Sequence, residues 1–422
     1  MRTVDAQLRR VLDAAVRPAP LRVAIAEAQG LLCAEEVTAD RSLPGFDQAA
    51  VDGFAVRSVD VRSAGEEPVG LPVVGEIAAG SRQAHRLSPG QAVRVAGGAP
   101  LPTLADAVLP EDHTSQVADG TTGASGTAPL KNRSRITVKR PVPSAAYVRR
   151  TGTDVAPGDL AVRRGVVVGP AQVALLAAVG RTKVLVHPRP RVSILAVGDE
   201  LVEVDRTPGV GQVPDVASHA LAAAARDAGA EVTRLGVVGG DPVAVREAVE
   251  SRLGSAEIVL VAGGVGGRLG EDVREGLAAL GPVDTTRVAM APGSVQGFGR
   301  LGAEEVPTFL LPSHAVAALI AFEVFVRPLV RLTLGKQELH RREVDASLLS
   351  PVSSPAGRRS YLRGQLLRDR TTGEYLAQPL GVGGAHQLSA LAEANALIVL
   401  DEETTEAGMD AAVRVAFLAP RS

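Results

Sequence analysis

Val192-Ser193-Ile194-Leu195-Ala196-Val197 runs directly into Gly198-Asp199-Glu200-Leu201. An aliphatic run without polar alternation predicts a strand buried on both faces. Downstream, Val216 to Ala228 predicts an Ala-rich helix, Val232 to Val238 a strand, and Pro242 to Leu253 a helix with proline in its first turn. Ile258 to Val261 predicts a further strand, and Val316 to Val326 a helix closing the unit, with Pro328 ending it. Strands alternating with helices of this length predict right-handed βαβ units and a doubly wound parallel sheet.

Gly263-Gly264-Val265-Gly266-Gly267 follows the third strand. It does not fit G-x-G-x-x-G, since the third glycine falls on Leu269, and no G-x-x-x-x-G-K-[ST] occurs. A dinucleotide fingerprint is therefore absent. The stretch is either a ligand loop at the carboxyl end of a parallel strand or a tight structural turn.

Outward from this core the grammar changes. Leu8, Val11, Leu12 and Ala15 predict an N-terminal helix, and Val23 to Ala34 a second helical run. Between about 43 and 140, short runs (Val73-Val74, Val93 to Val95, Ala107 to Leu109, Ile136 to Val138) alternate with Gly, Pro and Ser clusters, an all-β pattern. Residues 117–128 (VADGTTGASGTA) read as a loop. Val148 to Val168 reads as strands and turns, Pro170 to Val179 as a helix, and 335–422 as a small β domain.

Composition excludes several functions. The 422 residues suit two to four domains. Aromatics are 2%, with no Trp, which leaves little for base stacking. A net charge of -2 gives no polyanion-binding field. One cysteine, Cys33, forbids an internal disulfide or a multi-cysteine metal site and reads as a buried small residue. No apolar run approaches the ~20 residues of a membrane span, so a soluble cytoplasmic chain is expected. The seven histidines are scattered, with no H-E-x-x-H or G-x-S-x-G. Of 45 basic residues only Lys131, Lys139, Lys183 and Lys336 are lysine.

Carboxylates recur beside glycine: Asp52, Asp154, Asp199-Glu200, Asp241 and Asp272. Each is read alone as a turn or helix cap, and together they suit Mg2+, which takes one or two carboxylates plus substrate phosphates. Arg358-Arg359, Tyr361 and Arg363 form either an oxyanion site or an exposed charged strand face.

The order of these pieces resembles the molybdopterin molybdenumtransferases, the MoeA and gephyrin E-domain family. Leu43-Pro44-Gly45-Phe46-Asp47 through Val51-Asp52-Gly53-Phe54-Ala55-Val56 is similar to its "LPxFDxSAMDGYAV". Gly75 to Gly80, Arg94 to Pro102, Gly152-Thr153-Asp154, Gly198 to Leu201, Gly263-Gly264-Val265, Ala291-Pro292-Gly293 and Leu311-Pro312 follow in order. The resemblance implies four domains: a linking domain (1–42 and 139–186), a β insert (43–138), an α/β molybdopterin-binding domain (187–334) and a C-terminal β domain (335–422). It also implies a homodimer whose active site draws on both subunits. The implied reaction inserts molybdate into adenylylated molybdopterin with release of AMP, using Mg2+.

Carried over residue by residue, the acidic half is retained. Asp52, Glu200, Asp241 and Asp272 (or its neighbour Glu271) fall on catalytic positions, and Asp52, Glu200 and Asp241 on metal positions. Asp154, Gly263, Gly264 and Arg363 fall on substrate-binding ones. The oxyanion half departs. "KPGKP" reads Ala291-Pro292-Gly293-Ser294-Val295, "TGAP" reads Gly97-Gly98-Ala99-Pro100, and "PGNP" reads Pro312-Ser313-His314-Ala315. "SGGVS" begins at Ala262, the "TGDEL" threonine is Val197, "DSN" is Asp215-Val216-Ala217, and the serine before His386 is Ala385. Such losses of cations and donors typically cost ~10²–10³ each in rate. The alternative is a catalytically degenerate dimeric scaffold that binds a protein partner, as gephyrin binds receptor peptides.

Overall fold

The computed structural model describes residues 1–83, 85–117, 135–381 and 387–418. Most of the 117–128 loop reading, together with Ala385 and His386, lies outside the described residues. The chain divides into two compact units, one formed by residues 1–21 with 186–422 and the other by 22–185.

The first unit opens with helix α1 (Val4–Leu12), capped by the Thr3 hydroxyl, which accepts the Ala6 N–H. The α/β core then runs β1 (Arg191–Val197), α2 (Ala217–Ala228), β2 (Glu231–Val238), α3 (Pro242–Leu253), β3 (Ile258–Ala262) and α4 (Gly267–Leu277). It continues through β4 (Met290–Ala291), β5 (Gly297–Leu301), β6 (Val306–Leu311), α5 (Ala315–Ala321) and α6 (Arg327–Thr333). The sheet order is β2-β1-β3-β6-β5, extended by Val283–Asp284. β2, β1, β3 and β6 are parallel, β5 runs antiparallel to β6, and Val283–Asp284 runs antiparallel to β5.

β1 is buried from Val192 to Val197 and β3 throughout, as strands covered on both faces must be. Phe298 and Phe309 pack with tilted rings, centroids 4.9 Å apart, within the core cluster that also holds Phe322 and Phe325. Each such side chain is worth about 1.5–3 kcal/mol of burial. Asp241 caps α3 ahead of Pro242, and Gly229 closes α2 at φ +106 in the left-handed region that favours glycine.

Two departures from the sequence reading stand out here. Pro328 does not end the final helix: a π-helical turn, Phe322–Val326, follows α5, and α6 continues to Thr333 with the proline in its first turn. The wider turn accommodates a residue that cannot donate an N–H. The sequence reading also passes over α4, because glycine-rich segments have poor helix propensity. Those glycines serve packing: a Cβ on Gly276 would stand 2.3 Å from the Pro242 carbonyl oxygen, and one on Gly270 2.9 Å from the Val265 backbone.

The C-terminal strands are β7 (Glu343–Leu348), β8 (Arg359–Arg368), β9 (Tyr375–Pro379), β10 (Ala396–Leu400) and β11 (Ala412–Phe417). The pairings β8-β9-β7-β11-β10 return to β8, closing a five-stranded barrel. Closure removes the exposed edges that a small sheet would otherwise carry.

The second unit is built on a six-stranded sheet. Its order is Ala107–Pro110, Gly53–Val56, Ala92–Val95, Val69–Ile77, Arg135–Val138 and Thr114–Val117. Phe54, Leu71, Val73, Leu109 and Ile136 share its core. Helix Pro170–Ala178 forms as the sequence predicts. The second helical run, Val23 to Ala34, does not. Leu21–Ala24 and Leu32–Cys33 are strands flanking Lys183–His187, and the Ala34 N–H donates to Leu185 O at 2.8 Å. Pairing with a strand 150 residues away overrides a local Ala/Val pattern that a helix satisfies equally well. Cys33 is fully buried, and burial pushes its thiol pKa up.

Candidate functional site

In the first unit, backbone pairing aligns the carboxyl ends of four parallel strands: Val197 with Val238, Ala196 with Ala262, and Ala262 with Leu311. The turns after these strands therefore share one edge. The Gly198 N–H donates to Val238 O at 3.1 Å and the Gly263 N–H to Leu311 O at 2.9 Å, tying the turns together. The chain leaves β1 for β2 on one side and returns to β3 on the other. The resulting switch point lies between Gly198-Asp199-Glu200 and Gly263-Gly264, the position where α/β sheets bind ligands.

Each predicted residue can now be placed. Glu200 is exposed, and its carboxylate lies over Gly198: a Cβ there would stand 2.7 Å from Oε2. Gly263 adopts φ +94, and a Cβ on it would stand 2.2 Å from Val197 O, so the tight-turn reading of this glycine holds. Gly264 packs against Val261, Leu310 and Val273. α4 begins at Gly267, so the Gly-rich stretch also opens a helix N-terminus.

Asp241 Oδ2 accepts the Ala244 N–H at 2.9 Å and caps α3, which leaves Oδ1 for other partners. Asp199, one of the glycine-flanked carboxylates but given no role of its own by the resemblance, links two of the turns, its Oδ1 accepting the Gly240 N–H at 2.8 Å. Asp272 lies in α4, 3.9 Å from Arg268. Among the described residues no hydrogen bond or ion pair joins Asp272 to Glu200 or Asp241. Nor do three His, Cys, Asp or Glu side chains form a ready-made metal cage there. The donors on this edge are hard oxygens, and Mg2+ needs only one or two carboxylates when phosphates complete its shell. The edge therefore fits that ion.

The segment that follows Glu200 is pinned by a partly buried ion network. Arg234 Nη2 donates to Glu203 Oε2 at 2.6 Å, and Nη1 stands 3.3 Å from Asp215 Oδ2. Asp215 is 1% exposed and also accepts the Ser218 N–H at 3.0 Å. The Arg234 guanidinium holds Glu203 below the usual carboxylate range.

The basic strand face resolves against an oxyanion role for Arg359. Its guanidinium pairs with Asp5 at 2.9 Å and with Glu402 at 3.1 Å. Tyr361 is nearly buried, and burial pushes its phenol up to about 12. Arg363 is buried, reaches Gly381 O and Gln387 O at 3.4 Å each, and is lowered by burial. Ala291 ends β4, and Ser294 lies in the turn after it, where Gln296 Nε2 donates to Gly293 O at 2.9 Å. Gly293 rests against Ala317 and Ala321 of α5.

In the second unit, Asp52 Oδ1 accepts the Gly97 N–H at 2.7 Å, bringing it to the Gly97-Gly98-Ala99 turn. Gly53 follows because a Cβ there would stand 2.0 Å from Leu109 O. Asp154 is exposed, and its N–H donates to Leu43 O at 3.0 Å. Asp47 Oδ1 accepts both the N–H and the hydroxyl of Thr151, at 2.8 and 2.9 Å. The 43–53 and 150–155 segments are thus held together.

Three family profiles match the chain: the MoeA N-terminal region (domain I and II) over residues 2–180, the probable molybdopterin binding domain over 193–332, and the MoeA C-terminal region (domain IV) over 345–416. The chain is 56% identical to molybdopterin molybdenumtransferase 1 of Mycobacterium tuberculosis, covering 99% of each. It is 33% identical to that organism's molybdopterin molybdenumtransferase 2, covering 96% of this chain and 97% of the relative. A crystal structure of a molybdopterin biosynthesis MoeA protein from Pyrococcus horikoshii superposes with a TM-score of 0.79 at 27% identity, covering 99% of both chains.

Proposed function

The chain belongs to the molybdopterin molybdenumtransferase (MoeA) family, and from that membership we propose that it serves molybdenum cofactor biosynthesis, binding adenylylated molybdopterin at the acidic carboxyl edge of its α/β sheet. The observation that carries this reading is the switch point of the parallel sheet, whose carboxyl edge carries Glu200, Asp241 and a Gly-rich turn that opens a helix. Glu200 and Asp241 would hold Mg2+, whose charge offsets that of the adenylate phosphates. Gly263 and Gly264 let the turn close tightly against β1 and the core, which places the following helix N-terminus at the same edge. Arg363 is the retained cation for molybdate, which enters as substrate, and AMP leaves. The same reading makes the chain a cytoplasmic homodimer. Sedimentation of the purified chain tests the dimer.

With Ala291 and Ser294 in place of two lysines, and Arg359 committed to Asp5 and Glu402, the proposed insertion step is slow. Complementation of a strain lacking its own insertase decides the matter. Rescue of molybdoenzyme activity by the wild-type chain, abolished in Asp52→Ala, supports the enzyme. A soluble dimer that fails to rescue supports a second reading, a scaffold for a protein partner.

One observation favours that second reading. In the first unit a cleft of about 240 Å³ has an apolar floor including Leu8, Val324, Leu397 and Val399, and a rim including Glu323 and Arg341. An extended peptide with apolar anchor side chains and charged neighbours fits this chemistry.

A further inference from the structure

Asp199 is the carboxylate of the acidic edge to which the family resemblance gives no role, yet it is the one that touches the Asp241 turn. Its Oδ1 accepts the Gly240 N–H at 2.8 Å. A Cβ on Gly239 would stand 3.2 Å from that oxygen, and a Cβ on Gly240 would stand 3.5 Å from Oδ2 and 2.7 Å from Leu269 Cδ1. The backbone of Gly239-Gly240 is therefore laid close against the Asp199 side chain: a Cβ on Gly239 would press on Oδ1, while the tight contact at Gly240 is with Leu269. The following residue, Asp241, is fixed from its other side by the cap to Ala244 N–H at 2.9 Å. Asp241 thus has one restraint within its own helix and one, through Gly240, from the turn that carries Glu200.

The geometry points to Asp199 as a positioning residue: acting through the Gly240 amide, it holds the Asp241 turn in register with Glu200. This rests on the reading of the carboxyl edge as the nucleotide- and metal-binding site. Residues that orient a ligand in this way typically change metal affinity about 10–100-fold when removed. The role needs a hydrogen-bond acceptor at Oδ1, not a charge, which separates it from direct ligation.

The test uses the full-length chain, with Mn2+ as the probe, read by electron paramagnetic resonance, and amide hydrogen exchange of the segment spanning Gly239 and Gly240. Asp199→Ala is expected to speed exchange at Gly240 about tenfold and to weaken Mn2+ binding by a similar factor. Asp199→Asn keeps the acceptor, so both quantities are expected to stay within about twofold of wild type. Gly239→Ala is expected to disturb the turn in the wild type and to be tolerated beside Asp199→Ala, because its added Cβ meets only the Asp199 oxygen. If Asp199→Asn loses Mn2+ as Asp199→Ala does while Gly240 stays protected, Asp199 is a ligand and the proposal is overturned. Unchanged Gly240 exchange in Asp199→Ala also overturns it. Should Asp241→Ala leave Mn2+ binding untouched, the metal-site reading fails, and the exchange results alone judge the positioning role.

Discussion

Arg359 and Asp5 meet in a two-pronged ion pair, Nη1 to Oδ1 at 2.9 Å and Nη2 to Oδ2 at 3.2 Å, joining the C-terminal barrel to helix α1. The Arg359 hydrogen bond holds the Asp5 carboxyl below its ordinary value, against the opposing effect of desolvation. A depressed carboxylate contributes stability that is present above its unfolded value of about 4 and is lost as pH falls through the lower folded value. Asp5→Asn is therefore expected to lower the melting temperature at pH 7. That difference from wild type should begin to narrow below about pH 4 and close only as pH falls through the lower folded value. Calorimetric melts of the two proteins from pH 7 to pH 3 check this.

Arg234 faces a more buried partner. Removing it in Arg234→Met leaves Asp215 without its cation, although Ser218 still donates to it. Breaking a buried pair from one side costs about 3–5 kcal/mol, and the remaining donors should hold the loss near 2–3 kcal/mol. Urea unfolding of the variant measures it. Asp215→Asn in the same background should recover part of the loss, since no buried charge then remains.

At the carboxyl edge, Gly263 and Gly267 share positive φ values of +94 and +60 but not their surroundings. A Cβ on Gly263 would overlap Val197 O, whereas one on Gly267 meets nothing within 4 Å. Gly267→Ala is expected to cost about 1 kcal/mol, the price of the backbone conformation alone. Gly263→Ala should cost well over 2 kcal/mol and weaken ligand binding at the edge, because β1 and β3 must separate to admit it. Chemical denaturation of both variants ranks them.

What the sequence reveals follows the reach of each interaction. β1 and β3 are legible because a strand covered on both faces has to be aliphatic throughout, and α3 because Asp241-Pro242 is a local start signal. α4 is hidden because its glycines answer to the α3 backbone rather than to helix propensity. The Val23 to Ala34 segment misleads because its partner strand lies about 150 residues away. The site divides the same way. The acidic residues are legible as types beside glycine, while the commitment of Arg359 to Asp5, 354 positions away, is not. Nor is the Asp199 link to Gly240, which exists only once β1 and β2 lie side by side.

The lysine positions give a prediction in the direction of gain. Ala291 and Ser294 are each partly exposed, and Gly293 between them packs on α5, so the turn geometry does not depend on either side chain. Ala291→Lys with Ser294→Lys should therefore fold as the wild type does. Each ammonium adds a cation where the family holds molybdate, and a single such group is worth about 10²–10³ in rate. The double variant is expected to raise molybdate insertion at least tenfold over wild type, with non-additivity keeping it below the product of the two effects. Insertion is measured by reconstituting a molybdenum-free apoenzyme with adenylylated molybdopterin and molybdate. An unchanged rate in a folded double variant shows that the missing lysines are not what limits this chain.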